Sequence, residues 1–335
     1  MAKSKVATIE SELTKKYGDI IVSAANLHEL EGKLIPTTLG LDIALNGGII
    51  EGSLNIIAGN SGSGKSTLCL EILSNALAMD KELFYMDLEL RLKTSLIDCI
   101  EGLTKEKLNI IRPKTKIMAA EEALNICEQT LKDSPGCVLV MDSIASLFPE
   151  AAYAGEIGDS KQMGGVSRLM YEFCRRIAQV CAITKSTFIG ITHVQSNLSG
   201  YGGPKAYGGN AIQYFASNIL VCLSSPEYPK DSNPKKGRIS EFRVTKATLG
   251  PPGSASIIIK YGSGCDKYRD LAENAELMGL IEKSGAWYRV NIGHKTFDEI
   301  KVQGMENLSE ELRSNKELFN LMNKTVRELA FGKKK

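Results

Sequence analysis

The sequence predicts an α/β fold in which a mainly parallel sheet is flanked by helices, and three observations indicate it. Strand-like apolar runs alternate with helical patterns through most of the chain. An early strand-like run leads through a glycine-rich loop directly into a helix. Three later strand-like runs follow one another without helices between them, which allows the sheet to continue in antiparallel pairing.

The first segment, residues 1–34, combines a helix with an apolar run. KVATIESELTKKYG is an amphipathic helix pattern that ends at Gly18, and IIVSAA follows it. A helix and a strand of this length cannot enclose a core of their own. We therefore expect them to pack on their own domain or on a neighbouring copy of the chain.

Residues 35–263 are expected to form the α/β core, because strands and helices alternate there. The strand-like runs are SLNIIAG, ELFYMDLE, GCVLVMDS, STFIGITH, NILVCLSS, SEFRVTK and SASIIIKYG. The helical runs are KSTLCLEILSNALAM, LKTSLIDCIEGL, AAEEALNICEQTLK and SRLMYEFCRRIAQVCAI. The proline-rich PEYPKDSNPKKG (226–237) is expected to be a surface loop. Residues 264–335, with short helical patterns, the turn KSGAWY and a basic KKK end, are expected to form a small α+β domain.

The composition limits the classes of function. The chain has 335 residues, 43% of them hydrophobic, and a formal net charge of +2, so any nucleic-acid surface must be local. Its eight cysteines include no C-x-x-C pair, and most lie in apolar runs, which favours reduced buried thiols over a zinc site or a disulfide framework. No apolar run approaches the roughly 18 residues of a membrane span. We expect a cytoplasmic protein without membrane contact.

The strongest functional motif is GNSGSGKST, which matches the phosphate-binding P-loop pattern G-x-x-x-x-G-K-[ST] between a strand and a helix. Backbone N–H groups of such a loop point at phosphate oxygens, and the helix N-terminus adds positive potential. Lys65 is expected to reach the β- and γ-phosphates, and Ser66 to bind Mg²⁺. The predicted nucleotide-binding residues are Gly59, Asn60, Ser61, Gly62, Ser63, Gly64, Lys65, Ser66 and Thr67.

Carboxylates at strand ends supply the remaining groups of a phosphate-transfer site. Asp142 ends the apolar strand GCVLVMDS, where a P-loop protein holds its second metal ligand. Asp87 and Glu89 end FYMDLE, where a carboxylate can orient the attacking water. The alternatives are an ordinary strand-end aspartate and two solvated loop acids.

Several stretches together resemble bacterial-type RecA recombinases. In chain order they are IESELTKKYG, LGLDIALNGGIIEG, the P-loop, FYMDLE, VLVMDSIASLFP, GEIGDS, YGGNAIQYFAS and EKSGAWY. Some of these stretches are short, but their order around one P-loop is specific. The basic end, where bacterial RecA typically carries an acidic tail, and changes beside the motifs resemble a phage-encoded or otherwise divergent member.

The resemblance implies a P-loop NTPase core of the RecA type and a DNA-dependent ATPase that hydrolyses ATP to ADP and phosphate with Mg²⁺. It implies helical filaments of the protein on single-stranded DNA, pairing with homologous double-stranded DNA, and strand exchange. Single-strand-binding and mediator proteins are further expected partners. The expected location is the bacterial cytoplasm, or the host cytoplasm if the chain is phage-encoded.

The resemblance also assigns catalytic roles. Glu89 matches the catalytic base, and His193 lies where the family has its γ-phosphate sensor, usually Gln; the alternative for His193 is an ordinary strand-end histidine. Lys246 matches one of two lysines that reach the ATP of the neighbouring protomer, while Thr248 replaces the second. Leu96 stands where the family stacks a tyrosine on adenine.

Two glycine-rich stretches, GEIGDSKQMGG (155–165) and LSGYGGPKAYGGNA (198–211), match the two DNA-binding loops of the family. Glycine permits the unusual dihedrals that a loop ordered only by DNA requires. The alternatives are a disordered linker for the loop and a solvated helix face for the arginines. The expected DNA contacts are Met163, Gly164, Gly165, Arg168, Arg175, Gln195, Ser196, Asn197, Tyr201, Lys205, Gly208, Gly209 and Asn210.

Other departures from the family leave two questions open. Lys93 stands where an acid near adenine is usual, so recognition of the base is uncertain. Several basic positions of the second DNA site are missing; Arg243 and the cluster Lys230, Lys235, Lys236 and Arg238 either compensate or form a soluble loop.

Two other classes of function remain. A hexameric helicase motor uses the same core, but it does not need GEIGDS or the N-terminal helix. A non-catalytic ATP-binding filament accessory protein is the second alternative, and the intact Lys65, Glu89 and Asp142 argue against it.

Overall fold

A computed structural model of the chain describes residues 2–18, 21–153, 165–195, 205–206, 209–228 and 236–332. The helices are α1 (Ala2–Tyr17), α2 (Leu39–Ala44), α3 (Lys65–Leu77), α4 (Thr94–Asp98), α5 (Ala120–Asp133), α6 (Glu150–Tyr153), α7 (Gly165–Thr184), α8 (Gly209–Phe215), α9 (Lys267–Leu277), α10 (Met305–Ser314) and α11 (Lys316–Phe331). The first strands are β1 (Leu34–Ile35), β2 (Ile49–Ile50), β3 (Leu54–Ala58), β4 (Leu83–Asp87), β5 (Leu108–Ile111), β6 (Val138–Asp142), β7 (Thr187–Thr192), β8 (Val194–Gln195) and β9 (Lys205–Ala206). The later strands are β10 (Asn218–Ser224), β11 (Glu227–Tyr228), β12 (Gly237–Lys246), β13 (Ser254–Lys260), β14 (Gly264–Cys265), β15 (Ile281–Ser284), β16 (Trp287–Val290) and β17 (Lys301–Gln303).

Two compact units divide the chain, Met1–Lys33 and Leu34–Lys335. In the first, α1 ends where Gly18 adopts a φ of 83°, the left-handed region that glycine favours. The strand expected within IIVSAA is not formed by the described residues 21–25. Instead, Ala24–Leu30 form a 3₁₀ helix, whose first turn is capped by the Ser23 hydroxyl. A strand needs a partner for its backbone groups, whereas a capped turn satisfies them locally.

The main sheet of the second unit has ten strands in the order β14-β13-β12-β10-β3-β7-β6-β4-β5, with β11 paired to β12. The strands from β10 to β5 are parallel. From β10 outward, β12, β13 and β14 continue the sheet in antiparallel pairing. The prediction of a mainly parallel sheet with an antiparallel extension is therefore confirmed. Strand β5 was not foreseen, because its run of four residues lies among polar residues and is half exposed.

Alternate residues of each central strand belong to two separate cores, one on each face of the sheet. Ile57 and Val140 face the core that contains the side chains of α3, and Ile56 and Met141 face the core that contains those of α5 and α7. This explains why the central strands are almost continuously apolar in sequence. The carboxyl ends of β3, β4, β6 and β7 meet at one edge of the sheet, where parallel α/β proteins bind ligands.

The C-terminal helices α9, α10 and α11 pack with the antiparallel sheet β15-β16-β17 around a third core. The sequence KSGAWY is part of a hairpin rather than an isolated turn, because β15 and β16 pair across Gly285. Helix α2 is tied to this region by Arg327, which donates to Asp42 at 2.8 Å. Among the described residues, no helix is long and apolar enough to cross a membrane.

Candidate nucleotide site and nucleic-acid interface

The P-loop connects the end of β3 to the start of α3, as the motif requires. Gly62 and Gly64 have φ values of 71° and 87°, a region that L side chains rarely adopt. A methyl group on Gly64 would also collide with the side chain of Ile259. The local sequence therefore fixes both the dihedrals of the loop and its close approach to β13.

Lys65 is the first residue of α3, and its side chain folds back over the loop. It is only 7% exposed, and its Nζ donates to the carbonyl oxygens of Gly59 at 2.9 Å and Asn60 at 2.7 Å. Burial lowers the pKa of Lys65, while the nearby carboxylates of Asp142 and Glu89 act in the opposite direction. An ammonium group held at the loop in this way is suited to the terminal phosphates of a nucleotide.

Ser66 and Asp142 are brought together although 76 positions separate them. The Ser66 hydroxyl donates to Asp142 Oδ2 at 2.7 Å, and the Tyr85 hydroxyl donates to the same oxygen at 2.5 Å. Burial raises the pKa of Asp142, and these two hydrogen bonds oppose that rise. Hydroxyl and carboxylate oxygens are the ligands that Mg²⁺ prefers, so this pair fits a magnesium site.

Glu89 lies across the same cleft, beyond the end of β4. Its Oε1 accepts a hydrogen bond from the Ser143 hydroxyl at 2.7 Å and lies 3.8 Å from His193 Nε2. Its Oε2 lies 3.2 Å from an Arg91 guanidinium nitrogen. Together with Lys65, Asp142 and His193, it lines a cavity of about 270 Å³.

The neighbouring acid, Asp87, has a different environment. It is 1% exposed and accepts hydrogen bonds from the backbone N–H groups of Arg91 and Leu92, both at 3.1 Å. The guanidinium of Arg112 is 3.6 Å away. Asp87 therefore holds the turn after β4 and does not line the cavity, whereas Glu89 does.

Lys246 is the last residue of β12 and does not line the cavity that Lys65 and Glu89 share. Its Nζ donates to the carbonyl oxygens of Gln213 at 2.9 Å and Tyr214 at 3.1 Å, in the last turn of α8. Burial of the side chain lowers its pKa. Nearby, the Thr248 hydroxyl donates to the carbonyl oxygen of Ser217 at 2.9 Å.

Arg168 and Arg175 are exposed on α7, and their spacing of seven residues puts them on one face of the helix. In the described part of the chain, neither has a carboxylate within 4 Å. Arg176, beside them, is bound to Glu128 at 2.7 Å. Two of the three arginines of this helix thus keep their charge available for a phosphate.

The other expected DNA contacts are only partly described. Gln195 and Lys205 are register partners in the antiparallel pair β8–β9, directly after His193. Gly165 begins α7, Gly209 begins α8 with a φ of 75°, and Asn210 is exposed in the first turn of α8. Arg243 and Lys236 are exposed on or beside β12. Residues outside the described ranges are Met163, Gly164, Ser196, Asn197, Tyr201, Gly208, Lys230 and Lys235.

Several residues of the site are not predictable from the sequence. Tyr85 and Ser143 hold Asp142 and Glu89, but nothing in the local sequence marks them. A second cavity of about 330 Å³ continues from the P-loop and is lined by Leu96, Arg238 and Tyr261 among others, while Lys93 lines neither cavity. The one available signal was the turn YGSG after the apolar strand SASIIIK, which faces the P-loop only in the folded sheet.

Comparison with known proteins gives one family over nearly the whole chain. A family model described as the RecA N-terminal domain matches residues 4–266, and one described as the RecA C-terminal domain matches residues 270–330.

Individual relatives are also similar over most of their length. Protein RecA of Thermus thermophilus is 32% identical over 340 residues, covering 98% of this chain and 96% of that protein. Protein RecA of Caldanaerobacter subterraneus is 30% identical over 333 residues, covering 96% of this chain and 93% of that protein. Protein RecA of Nitratidesulfovibrio vulgaris is 29% identical over 325 residues, covering 95% and 87%.

Proposed function

Because the chain belongs to the RecA family, and is therefore a RecA-type recombinase and DNA-dependent ATPase that uses ATP with Mg²⁺, we propose which of its residues carry that activity. Single-stranded DNA binding and filament formation are typical of the family, and the family assignment decides against the helicase and accessory-protein alternatives. The observation that carries the proposal is the meeting of Lys65, Ser66, Asp142, Glu89 and His193 around one cavity.

In the proposed mechanism, each of these residues has one task. Lys65 neutralises charge on the terminal phosphates, and Ser66 with Asp142 would hold Mg²⁺. The metal, when bound, stabilises charge that develops on the phosphate oxygens. Glu89 orients the attacking water and accepts its proton. The hydrogen bond from Ser143 holds its Oε1 in position at the cavity wall. The remaining P-loop residues, Gly59 to Gly64 and Thr67, surround the phosphates.

His193 is the proposed link between nucleotide and DNA. Its ring is 3.8 Å from Glu89, and the short pair β8–β9 begins one residue later, at the base of the second glycine-rich segment. When His193 contacts the γ-phosphate, it shifts the strand pair β8–β9, and the glycine-rich segment that the pair carries shifts with it. This continuity supports coupling between ATP binding and DNA binding.

The DNA-binding surface is proposed to comprise Arg168 and Arg175 on α7 together with the two glycine-rich segments. Contacts are expected mainly to phosphates and sugars, because base pairing reads homology and the protein must accept any sequence. The role of Arg243 and the cluster near 230–238 in a second, duplex-binding site stays a prediction, as do the single-strand-binding and mediator partners.

The N-terminal unit, residues 1–34, is proposed to join neighbouring protomers of a helical filament. Several of its large apolar side chains are exposed, among them Tyr17, Leu27 and Leu30. A head-to-tail contact of this kind propagates, whereas a self-complementary one closes. The core from 35 to 263 and the C-terminal domain from 264 to 335 complete the proposed division, with a cytoplasmic location; a phage origin stays a prediction.

The test of the proposed base is Glu89→Gln. The amide cannot accept the proton, so ATP binding and filaments on single-stranded DNA should persist while phosphate release falls by roughly 10²-fold or more. The matched control is Glu106→Gln, which removes the same charge from an exposed residue that lines neither cavity. Normal turnover by Glu89→Gln would remove Glu89 from the mechanism.

A further inference from the structure

The second cavity beside the P-loop is the place where the nucleotide base can lie. It shares Gly62, Lys65 and Ser66 with the catalytic cavity, but its lining contains neither Glu89 nor His193. If the γ-phosphate lies at the catalytic groups, as the proposed function requires, the base points away from them. The cavity of about 330 Å³ is open to it from the P-loop.

The polar side chains of this cavity include no Asp or Glu. Lys260 is already bound to Asp266 at 2.6 Å. Leu96, which also lines the cavity, offers no acceptor. Arg238 is different: among the described residues no carboxylate lies within 4 Å of its guanidinium, which only donates hydrogen bonds. The charged group that remains available to a base is therefore the guanidinium of Arg238, which can donate hydrogen bonds but cannot accept them.

A chain of hydrogen bonds fixes this fork relative to the P-loop. Arg238 Nη1 donates to the Ser225 hydroxyl at 3.3 Å, and Nη2 donates to the Tyr261 hydroxyl at 3.2 Å. The hydroxyls of Ser225 and Ser240 are 3.2 Å apart, and Ser240 donates to the carbonyl oxygen of Ser63 at 2.9 Å. The guanidinium also lies over the face of Tyr261, 5.8 Å from the ring centroid. Its position is set by the same backbone that would hold the phosphates.

We propose that Arg238 selects the base, and that the protein binds nucleoside triphosphates whose purine carries a carbonyl at C6, guanine or hypoxanthine, at least as tightly as ATP. Guanine presents two acceptors, O6 and N7, to an arginine fork, whereas adenine presents N7 and an amino group that the fork cannot pair with. The half-exposed ring of Tyr261 supplies a face on which any purine can stack. The proposal rests on the proposed placement of the triphosphate on the P-loop.

Equilibrium competition without DNA tests the preference. A sugar-labelled fluorescent ATP analogue, bound in the presence of Mg²⁺, is displaced by ATP, GTP, inosine triphosphate, or a GTP analogue with carbon in place of N7. We expect GTP and inosine triphosphate to displace it at concentrations no higher than ATP, and the N7-lacking analogue to be weaker, on the order of 3- to 10-fold. GTP that binds measurably more weakly than ATP would overturn the proposal.

Two substitutions separate base recognition from simple charge. Arg238→Gln should weaken GTP on the order of tenfold and leave ATP unchanged or more tightly bound, because a glutamine amide can pair with N6 and N7 of adenine. Arg238→Lys, which keeps the charge and loses the fork, should give an intermediate preference for GTP. Arg238 also lies near Gly62, where a methyl group would be 3.6 Å from Nη1. If Arg238 serves the phosphates instead, Arg238→Gln weakens both nucleotides equally and Arg238→Lys restores both, which contradicts the proposal.

The controls distinguish a wrong proposal from a wrong site. Arg289→Gln makes the same change on β16 and should leave both affinities as they are, since Arg289 lines neither cavity. Lys65→Ala should abolish binding of ATP and GTP together. If Lys65→Ala still binds ATP and GTP, the placement of the triphosphate on the P-loop is refuted. If Lys65→Ala binds neither nucleotide but the parent protein binds GTP more weakly than ATP, only the base selection is refuted. Thermal melting of each variant confirms that it is folded.

Discussion

Lys65 and Lys246 make the same contacts in different surroundings. Each ammonium group donates to two backbone carbonyl oxygens. Lys65 also has the carboxylates of Asp142 and Glu89 close enough to act on its pKa, whereas burial alone acts on that of Lys246. The charges that act on Lys65 therefore come from its own protomer, whereas the partners of Lys246 among the described residues are the carbonyl dipoles at the end of α8.

Lys246 is the residue through which assembly of protomers can affect the mechanism. A cation at a helix C-terminus is stabilised by roughly 0.3–1 kcal/mol when exposed. A phosphate of a neighbouring protomer is a stronger acceptor than two carbonyl oxygens, because charge-assisted hydrogen bonds are about twice as strong. We therefore expect a neighbouring protomer to recruit Lys246, whereas Lys65 cannot leave its site without unbalancing two carboxylates.

The largest effect is expected when Lys65 is removed from the charges of Asp142 and Glu89. Lys65→Ala removes the charge that faces the terminal phosphates and leaves Asp142 and Glu89 with one cation fewer. We expect single-stranded-DNA-dependent phosphate release to fall on the order of 10³-fold or more. A coupled assay of phosphate release measures it, with Lys295→Ala as a control for an exposed lysine outside both cavities. Turnover within tenfold of the parent protein would show that Lys65 does not serve the phosphates.

The second-largest effect is expected at Lys246. Lys246→Ala should lose up to about 10³-fold in DNA-dependent turnover, as removal of an arginine finger does, although it leaves the protomer's own cavity intact. Nucleotide binding to the isolated protomer should be unchanged.

Mixing decides whether Lys246 acts on a neighbour. Lys65→Ala protomers have an intact Lys246, and Lys246→Ala protomers have an intact P-loop, so mixed filaments contain some interfaces with both groups. ATPase activity should reappear to a fraction of the parent rate. If mixed filaments form on single-stranded DNA and stay inactive, Lys246 is not a trans-acting group.

Local signals in the sequence predict part of the molecule, whereas contacts between distant positions are not predictable from it. Alternation of strands and helices predicted the sheet, and the P-loop motif predicted the phosphate site, because both signals are local. The contacts of Lys246 with α8, of Tyr85 with Asp142, and of Arg238 with Tyr261 join distant positions and leave no periodicity. The helix expected in LKTSLIDCIEGL extends only over Thr94–Asp98, and the chain turns four residues later at Gly102, which has a φ of 83°.

A smaller effect is expected for Arg168 and Arg175. The double substitution to Gln removes two exposed charges, so affinity for single-stranded DNA should fall roughly tenfold at moderate salt. The slope of log affinity against log salt should decrease by about 0.7 for each phosphate that the protein no longer neutralises. Arg289→Gln is the matched single control, and fluorescence anisotropy over a salt series measures both quantities. An unchanged slope would show that these arginines form a solvated helix face.

The smallest effect is expected at Tyr85, which holds Asp142 in the nucleotide site. Tyr85→Phe removes the 2.5 Å hydrogen bond to Asp142 and keeps the ring in the core. That hydrogen bond lowers the pKa of Asp142 against the rise caused by burial, so its loss raises the pKa further. Asp142 must be ionised to hold Mg²⁺, and activity declines as the pH falls through its pKa.

The acid limb of the pH–rate profile should therefore move to higher pH in Tyr85→Phe, with a loss of roughly tenfold or less at neutral pH. Raising the concentration of Mg²⁺ should partly reverse the shift, because the metal competes with the proton for the same carboxylate. The pH–rate profile of Lys246→Ala, measured with enough protein to detect its residual activity, serves as the contrast. Its acid limb should coincide with that of the parent protein. A Tyr85→Phe profile that loses rate equally at every pH would mean that the hydroxyl supports the fold of the cavity and does not tune the metal ligand.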